Sequence, residues 1–218
     1  MKFVLLAAGK SKRIYKKINK HKCLIKINRK TIIENSVNEI LKTTIKDIVV
    51  VLGFMPDQIK KKLKNHKNIK FILNKKYNSR EMLYSLIFAL RKYDSDIIFG
   101  YTDIIFSYKT INKIIKLNKK KITISVLQNW KKVWKIRKKD PYEDAETLFV
   151  NKAMQLVSIG EKIKILKEVK YQFMGLTFFP QRERKKLLNF YDKIKNKYHL
   201  HLTTFLNKLV KNKFKINC

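Results

Sequence analysis

The chain has 218 residues, of which 45% are hydrophobic and 11% aromatic, which is enough for one domain with a packed core. It carries 52 lysines and arginines against 16 acidic residues, a formal net charge of +36. Such a balance normally suggests a nucleic-acid or anionic-membrane partner. Because lysine, isoleucine and asparagine are enriched together throughout, as A/T-rich codons would produce, we expect no nucleic-acid partner.

The termini and cysteines bear on where the chain works. Cys23 and Cys218 provide neither a disulfide framework nor a metal knuckle, which favours a reducing cytoplasm. The opening stretch MKFVLLAAG imitates a signal peptide, but its apolar run is too short, and we interpret it as a first β-strand. No apolar stretch approaches the roughly 20 residues of a membrane-spanning helix, so we expect no membrane span.

Buried strands and amphipathic helices alternate along the first part of the chain. Strands are predicted at 2–8, 47–53, 69–74, 96–106 and in KITISVLQ, and helices at 31–44, in MPDQIKKKLKN, at 79–93 and in YKTINKIIKLNKK. Thr31 and Glu34 form a capping box, Pro56 suits a first helical turn, and Ser79 is a plausible N-cap. This alternation predicts an α/β fold, with a Rossmann-like, mostly parallel sheet flanked by helices.

The rhythm changes after about residue 130. The stretches WKKVWKIR, AETLFVN, MQLVSIG and YQFMGLTFF predict short strands or hairpins, and two polar helices at about 181–197 and 202–213 close the chain. We see no linker or repeat, and we therefore expect a single domain over 1–218.

The turn after the first strand, in LLAAGKSKRI, suggests phosphate binding. A Walker A loop needs a glycine five positions before Gly9, where Val4 stands, and the G-x-G-x-x-G fingerprint is absent. The strand nevertheless ends in small residues that let backbone amides approach a nucleotide. The residues that follow, Lys10 to Arg13, all carry side chains that can donate hydrogen bonds to phosphate oxygens. The alternative, an ordinary turn with solvated lysines, stays open from this stretch alone.

Five motifs in order carry a resemblance to a known family. LLAAGKSKRI followed by HKCLIKINRKTIIENSVNEI resembles the N-terminal signature of the nucleotidyltransferases that join an NTP to a small phosphorylated acceptor, L-A-A-G-x-G/S-x-R and then P-K-x-L. NKKYNSREMLYSLIFAL, DIIFGYTDIIF, KKDPYEDAETLF and YQFMGLTFF resemble the bacterial cytidylyltransferases that activate phosphocholine, aminoethylphosphonate and similar headgroups. The resemblance implies a GT-A-like fold, with a nucleotide-binding core over about 1–128 and an acceptor-binding part with a small β-hairpin lobe over about 129–218.

The resemblance also implies a reaction and its catalytic residues. An acceptor oxygen attacks the α-phosphorus of CTP, pyrophosphate leaves, and Mg²⁺ serves as cofactor. Arg13 matches the arginine on the pyrophosphate, Lys22 the lysine that bridges the α-phosphate and acceptor, and Asp103 the Mg²⁺ ligand after the fourth strand. The expected nucleotide contacts are Leu6, Ala7, Ala8, Gly9, Lys10, Ser11, Arg13, Lys22, Ser85 and Tyr101. The alternatives are a turn cap for Asp103 and plain core packing for the helix that carries Ser85.

The segment DPYEDAE at 140–146 points to the acceptor. It holds four of the sixteen acidic residues, and Asp144 and Glu146 match the family's D-A-E. Trp130, Trp134 and Tyr142 lie nearby, and aromatic faces attract ammonium groups. We therefore expect Asp144, Glu146, Trp130 and Tyr142 to bind the acceptor. The alternative is a charged loop that pairs with neighbouring lysines.

The chain departs from the family pattern at three places. His21 replaces the proline of P-K-x-L, which we interpret as a change in loop stiffness, and Glu81 stands where relatives often carry asparagine. Relatives place a further acidic metal ligand on a strand after the last helix, whereas no acidic residue follows Asp192 here. Either Glu146 or Asp144 supplies that ligand, or the metal site is incomplete. His199 and His201 are interpreted as incidental.

The leading hypothesis is a cytoplasmic, Mg²⁺-dependent enzyme that transfers CMP from CTP to a phosphocholine, aminoethylphosphonate or phospho-amino-acid type of headgroup, for surface glycan or lipid decoration. A sugar-1-phosphate nucleotidyltransferase is the enzymatic alternative. A basic nucleic-acid-binding protein and a fold relative that binds nucleotide without turnover are the others. The sequence names neither the acceptor nor the oligomeric state.

Overall fold

The computed structural model describes residues 1–117, 120–137, 145–162 and 169–218, without the side chains of Lys12, Arg13, Arg137 and Lys162. The strands are β1 (Lys2–Ala7), β2 (Lys26–Ile27), β3 (Lys30–Thr31), β4 (Asp47–Leu52), β5 (Ile69–Leu73), β6 (Ile97–Tyr101), β7 (Ile122–Leu127), β8 (Glu146–Val150), β9 (Leu156–Lys162), β10 (Gln172–Phe179) and β11 (Ile216–Asn217). The α-helices are α1 (Lys12–Ile18), α2 (Ile32–Leu41), α3 (Pro56–Leu63), α4 (Met82–Lys92), α5 (Tyr108–Lys116), α6 (Trp130–Arg137), α7 (Gln181–Lys193) and α8 (Leu202–Lys211).

Seven strands form one sheet in the order β11-β7-β10-β6-β1-β4-β5. The pairs that join β1 to β4, β1 to β6 and β4 to β5 are parallel, and β10 runs antiparallel to both β6 and β7. The expectation of a mostly parallel, mixed sheet flanked by helices is therefore confirmed. The sheet takes strands from both the first and the last part of the chain.

The apolar run of β1 is explained by burial on both faces of this sheet. Val4 and Leu6 belong to a core beneath α4, α7 and α8, whereas Phe3, Leu5 and Ala7 belong to a core beneath α2, α3 and α5. All five side chains are 5% exposed or less. A strand covered on both sides needs no polar alternation, which is why KFVLLAA reads as a continuous apolar stretch.

The first residues of α2, α3 and α4 can be compared with the predicted helix caps. At α2 the backbone N–H of Glu34 donates to Thr31 Oγ1 over 3.3 Å and the N–H of Thr31 donates to Glu34 Oε2 over 2.8 Å, so the capping box is confirmed. The prediction of Ser79 as N-cap is wrong, because α4 begins at Met82 and Glu81 occupies the N-cap position. Pro56 opens α3 as predicted.

The prediction of a strand for WKKVWKIR is also wrong, because this stretch forms α6. Its apolar residues Trp130, Val133 and Trp134 follow a spacing of three and four, which places them on one helical face. The two indole rings meet edge to face with 5.9 Å between their centroids.

The stretches AETLFVN, MQLVSIG and YQFMGLTFF correspond to the strands β8, β9 and β10, as predicted. β8 and β9 pair as an antiparallel hairpin outside the main sheet, and α8 packs against β9. β10 inserts between β6 and β7 with a bulge between Phe173 and Thr177. Within the described ranges, no helix has both the length and the apolar character to cross a bilayer.

Candidate active site

The polar residues of the site lie where β1 and β6 end. These strands are parallel neighbours, so their carboxyl ends meet at one edge of the sheet, the usual place for a ligand in an open α/β fold. Leu6 and Ala7 are buried, and they contribute backbone atoms to this edge. The Thr102 hydroxyl donates to the Leu6 carbonyl oxygen over 3.0 Å, which ties the two strand ends together next to Asp103.

Lys22 and Asp103 form the central ion pair of this edge. Lys22 begins a short 3-10 turn, Lys22–Leu24, and its Nζ lies 2.6 Å from Asp103 Oδ2. The side chains are 26% and 40% exposed, so a ligand can reach both. The backbone N–H of Lys22 donates to Ser11 Oγ over 3.1 Å, which joins this turn to the one that follows β1.

His21 provides a second link between the same two turns. Its imidazole is fully buried, with Nε2 2.9 Å from the carbonyl oxygen of Gly9 and Nδ1 3.0 Å from Cys23 Sγ. Burial lowers the pKa of His21 to about 4 and raises the pKa of the Cys23 thiol to about 12. The imidazole is therefore neutral and the thiol protonated at neutral pH.

A first cavity of about 410 Å³ opens beside the glycine turn and is lined by Ala8, Gly9, Lys10 and Ser85, among others. A Cβ atom built on Gly9 would meet nothing within 4 Å, so the space next to this residue is open. Ser85 is buried, and its Oγ accepts a hydrogen bond of 2.9 Å from Asn74 Nδ2. Its hydroxyl proton is thus left to donate elsewhere.

Another part of the wall of the first cavity contains residues to which the sequence analysis gave no binding role. Arg80 lines this wall, and its guanidinium carbon lies 3.8 Å from the centroid of the Tyr198 ring. The backbone N–H of Glu81 donates to the Tyr198 carbonyl oxygen over 3.0 Å, which holds this wall against the segment between α7 and α8. His199, from that segment, completes the wall. The stacked arginine carried no sequence signal, because its partner lies more than a hundred residues away.

A second cavity of about 270 Å³ adjoins the first and shares Glu81 and Met82 with it. Its walls include the rings of Tyr101, Trp134 and Phe173 and the carboxylate of Glu146. Among the described residues that line it there are two carboxylates, one histidine (His201, with Nδ1 3.5 Å from Glu81 Oε2) and no lysine or arginine, in a chain of net charge +36. This cavity is therefore suited to a cationic group with aromatic contacts.

The ring of Tyr101 packs against β10 at a glycine, which leaves room for it. Gly175 has a φ of +85°, and a Cβ atom there would lie 2.7 Å from Tyr101 Cδ2. Burial raises the pKa of Tyr101, and the charges of Asp103 and Glu146 raise it further, so its hydroxyl stays protonated. Tyr101 was expected to contact the nucleotide, but it lines the second cavity and not the first.

Comparison with known proteins identifies the family. Residues 3–154 match the MobA-like NTP transferase domain. The chain belongs to this family. The expected resemblance to nucleotidyltransferases is thereby confirmed, and the chain is an enzyme of the nucleotidyltransferase class.

Two sequence relatives and one solved structure are similar to this NTP transferase. A CTP:phosphoglutamine cytidylyltransferase of Campylobacter jejuni is 28% identical over 96% of this chain and 88% of its own length. A choline-phosphate cytidylyltransferase of Streptococcus pneumoniae is 31% identical over 39% of this chain and 38% of its own length. The structure of an inositol-1-phosphate CTP transferase from T. maritima shares the fold, with a TM-score of 0.78 and 17% identity, over 99% of this chain and 83% of the other.

One acceptor residue of the NTP transferase was wrongly predicted. Trp130 is fully buried, packs with Ala145 and Val169, and donates its Nε1 hydrogen to the Val169 carbonyl oxygen over 3.2 Å. It therefore presents no face to a ligand, and Trp134, one helical turn later, stands on the wall of the second cavity instead. Three further expected site groups, Asp144, Tyr142 and the side chain of Arg13, lie outside the described residues.

The donor set around Asp103 fits a magnesium ion that arrives with its substrate. Within the described ranges no three histidines, cysteines or carboxylates cluster as a metal cage. Mg²⁺ is commonly held by one or two carboxylates together with substrate phosphates and water, and the accessible carboxylate of Asp103 is a ligand of that kind. β11 offers no carboxylate ligand, since it consists of Ile216 and Asn217, and β7 and β10 lie between it and β6 in the sheet.

Proposed function

We propose that the chain is a cytidylyltransferase that transfers CMP from CTP to a small phosphorylated or phosphonate headgroup and releases pyrophosphate. The observation that carries this proposal is the accessible ion pair of Lys22 and Asp103, which the hydrogen bond from the Lys22 N–H to Ser11 Oγ ties to the turn after β1. The relatives named as cytidylyltransferases support the choice of CTP.

The first cavity is proposed to bind CTP. Lys10 and Arg80 both line this space, and two cations attract a triphosphate and neutralise part of its charge. The open space beside Gly9 leaves room for phosphate oxygens against the backbone. The Ser85 hydroxyl has a proton to donate to an acceptor atom of the cytosine base. Arg13 is proposed to bind the departing pyrophosphate.

Transfer is proposed to occur beside Lys22. The acceptor oxygen forms a bond to the α-phosphorus while the bond from this phosphorus to the bridging oxygen breaks, and that oxygen leaves with pyrophosphate. Both reactants are anions, so the ammonium of Lys22 lowers their repulsion and stabilises the negative charge that develops. Asp103 would hold Mg²⁺, which supplies further charge neutralisation at the phosphates. Glu146 is the candidate for a second metal contact.

The second cavity is proposed to bind the acceptor. Glu146 and Glu81 with the rings of Tyr101, Trp134 and Phe173 suit a positively charged end, such as a quaternary ammonium or an amino-acid ammonium. The acceptors in the names of both cytidylyltransferase relatives carry such a group. We propose a nucleotide-binding core at about 1–128 and an acceptor-binding part at about 129–218, with Glu81 and Tyr101 of the core contributing to the acceptor cavity. A CMP-linked headgroup is an activated donor, which suits later transfer to a surface glycan or lipid from the cytoplasm.

Pyrophosphate release tests the proposal. The chain is mixed with Mg²⁺ and CTP, UTP, dTTP or GTP, and with phosphoglutamine, phosphocholine, aminoethylphosphonate or glucose 1-phosphate. We expect release with CTP and a cationic acceptor. Release only with glucose 1-phosphate would favour a sugar nucleotidyltransferase, and CTP binding without release from any acceptor would indicate a fold relative without turnover.

Asp103→Asn tests the metal role in the same system. This change keeps the shape of the side chain and removes its charge, so CTP binding should lose its dependence on Mg²⁺. Asp47→Asn is the matched control, because Asp47 is also paired with a lysine, Lys2 at 2.9 Å, but lies at the other end of a sheet strand. Unchanged magnesium titrations in Asp103→Asn would remove Asp103 from the metal site.

A further inference from the structure

We infer that His21 is a positioning residue for the phosphate-binding turn. By donating its Nε2 hydrogen to the carbonyl oxygen of Gly9, the imidazole sets both the direction of the Gly9–Lys10 peptide and the spacing between this turn and Lys22. The inference rests on the proposed function, in which the turn and Lys22 bind the same triphosphate.

The hydrogen bonds around the ring fix which nitrogen carries the proton. The backbone N–H of Cys23 donates to His21 Nδ1 over 3.3 Å, and the Cys23 thiol lies 3.0 Å from the same nitrogen. Nδ1 is therefore an acceptor, and in a neutral ring the proton then sits on Nε2. The 2.9 Å contact to the Gly9 carbonyl oxygen is thus a hydrogen bond donated by His21.

This hydrogen bond orients a peptide that lines the first cavity. The C=O and N–H of one planar, trans peptide point in opposite directions, so a carbonyl of Gly9 held toward His21 turns the amide N–H of Lys10 away from it. Gly9 and Lys10 both line the cavity. Without the imidazole, the Gly9 carbonyl oxygen could rotate toward the phosphates and repel them.

His21 keeps a backbone conformation typical of proline. Its φ of −64° lies at the value to which a proline ring fixes the backbone, and its ψ is 138°, so a proline at this position is compatible with the same path of the loop. What histidine adds is a side-chain hydrogen bond across to the neighbouring turn. The expectation that His21 alters loop stiffness alone therefore misses this bond.

Three variants of the full chain separate the hydrogen bond from loop stiffness. His21→Gln keeps an N–H donor, His21→Leu removes it, and His21→Pro keeps the backbone without the donor. We expect the Kd for CTP to rise about 10-fold in the leucine and proline variants and less than about 3-fold in the glutamine variant, the range of one hydrogen bond. The KM for the acceptor should stay constant. Full CTP affinity in His21→Pro, or equal losses in glutamine and leucine variants, would overturn the inference.

Two further measurements keep the result independent of folding and of turnover. Val37→Ala removes core volume beneath α2 and leaves both turns intact, so it should lower stability without changing the Kd for CTP. In nitrogen-15 spectra, His21 should show a protonated Nε2 that exchanges slowly, in contrast to exposed His199. A protonated Nδ1 would contradict the inference even in an active enzyme. CTP binding without turnover would instead refute the transferase proposal and leave the role of His21 standing.

Discussion

Lys22 Nζ lies 2.6 Å from Asp103 Oδ2, although 81 positions separate the two residues in the sequence. The pair joins the 3-10 turn Lys22–Leu24 to the end of β6, and both side chains remain accessible. Partly exposed ion pairs contribute little to stability, about 0–1 kcal/mol. The contact is therefore better explained by the proposed roles of this lysine and carboxylate, beside the turn proposed to bind phosphate, than by a contribution to folding.

The first prediction concerns Lys22. Lys22→Ala should lower kcat/KM by at least about 100-fold, because a charge aimed at the reacting phosphate is removed, while the circular dichroism spectrum stays that of the wild type. Lys60→Ala is the control, since Lys60 pairs with Asp57 on the exposed face of α3 and should have no effect. Near-normal turnover in Lys22→Ala would refute the assigned role.

The second prediction concerns Gly9. A Cβ atom at this position meets no protein atom within 4 Å, so Gly9→Ala should leave thermal stability unchanged. The same methyl group projects into the space proposed for CTP, and we expect the KM for CTP to rise about 10-fold or more, equivalent to about 1.4 kcal/mol. Gly53→Ala provides the contrast. Its Cβ would lie 2.6 Å from that of Tyr77, so it should destabilise the fold itself. Equal CTP affinity in wild type and Gly9→Ala would place the phosphates elsewhere.

The third prediction separates two tryptophans one helical turn apart. Trp134→Ala should raise the KM for the acceptor and leave the KM for CTP unchanged, because Trp134 lines only the second cavity. Trp130→Ala should instead lower the free energy of unfolding by about 3–5 kcal/mol, because a fully buried indole is lost. Steady-state kinetics and urea denaturation distinguish the two effects. An acceptor KM that responds to neither substitution would argue against the second cavity as the acceptor site.

The fourth prediction follows from the buried imidazole of His21. Its pKa is about 4 in the folded chain, whereas an exposed histidine in the unfolded chain titrates near 6.5. As pH falls, the unfolded state takes up this proton first, so the free energy of unfolding decreases between pH 6.5 and 4. The contribution of His21 reaches about 3 kcal/mol, and His21→Gln should lack it. If the free energies of unfolding of the wild type and of His21→Gln changed with pH in parallel, a buried neutral ring would be contradicted.

Structural features that depend on residues close together in the sequence were predicted correctly. The apolar run of β1, the capping box of Thr31 and Glu34, and the proline that opens α3 each depend on neighbours within a few residues, and each was correctly anticipated. The segment Trp130–Arg137 was misinterpreted because the three-and-four spacing of its apolar residues, with edge-to-face packing of its two indoles, was overlooked in a short, lysine-rich stretch.

Features that depend on distant contacts were not predictable. Trp130 and Trp134 are equivalent in the sequence, and only their environments show which one is buried against Val169 and which lines a cavity. The stacking of Arg80 on Tyr198 and the hydrogen bond from His21 to Gly9 likewise join separate segments of the chain. These contacts arise from the packing of the whole sheet, and the hydrophobic periodicity of the sequence does not predict them.

The most direct test is a crystal structure of the chain with CTP and Mn²⁺ in place of Mg²⁺. We predict the triphosphate against the turn of Gly9, Lys10 and Ser11, the α-phosphate within hydrogen-bonding distance of Lys22 Nζ, and an anomalous metal peak at the carboxylate of Asp103. A nucleotide bound away from this turn, or a metal peak remote from Asp103, would contradict the convergence of these groups on one triphosphate.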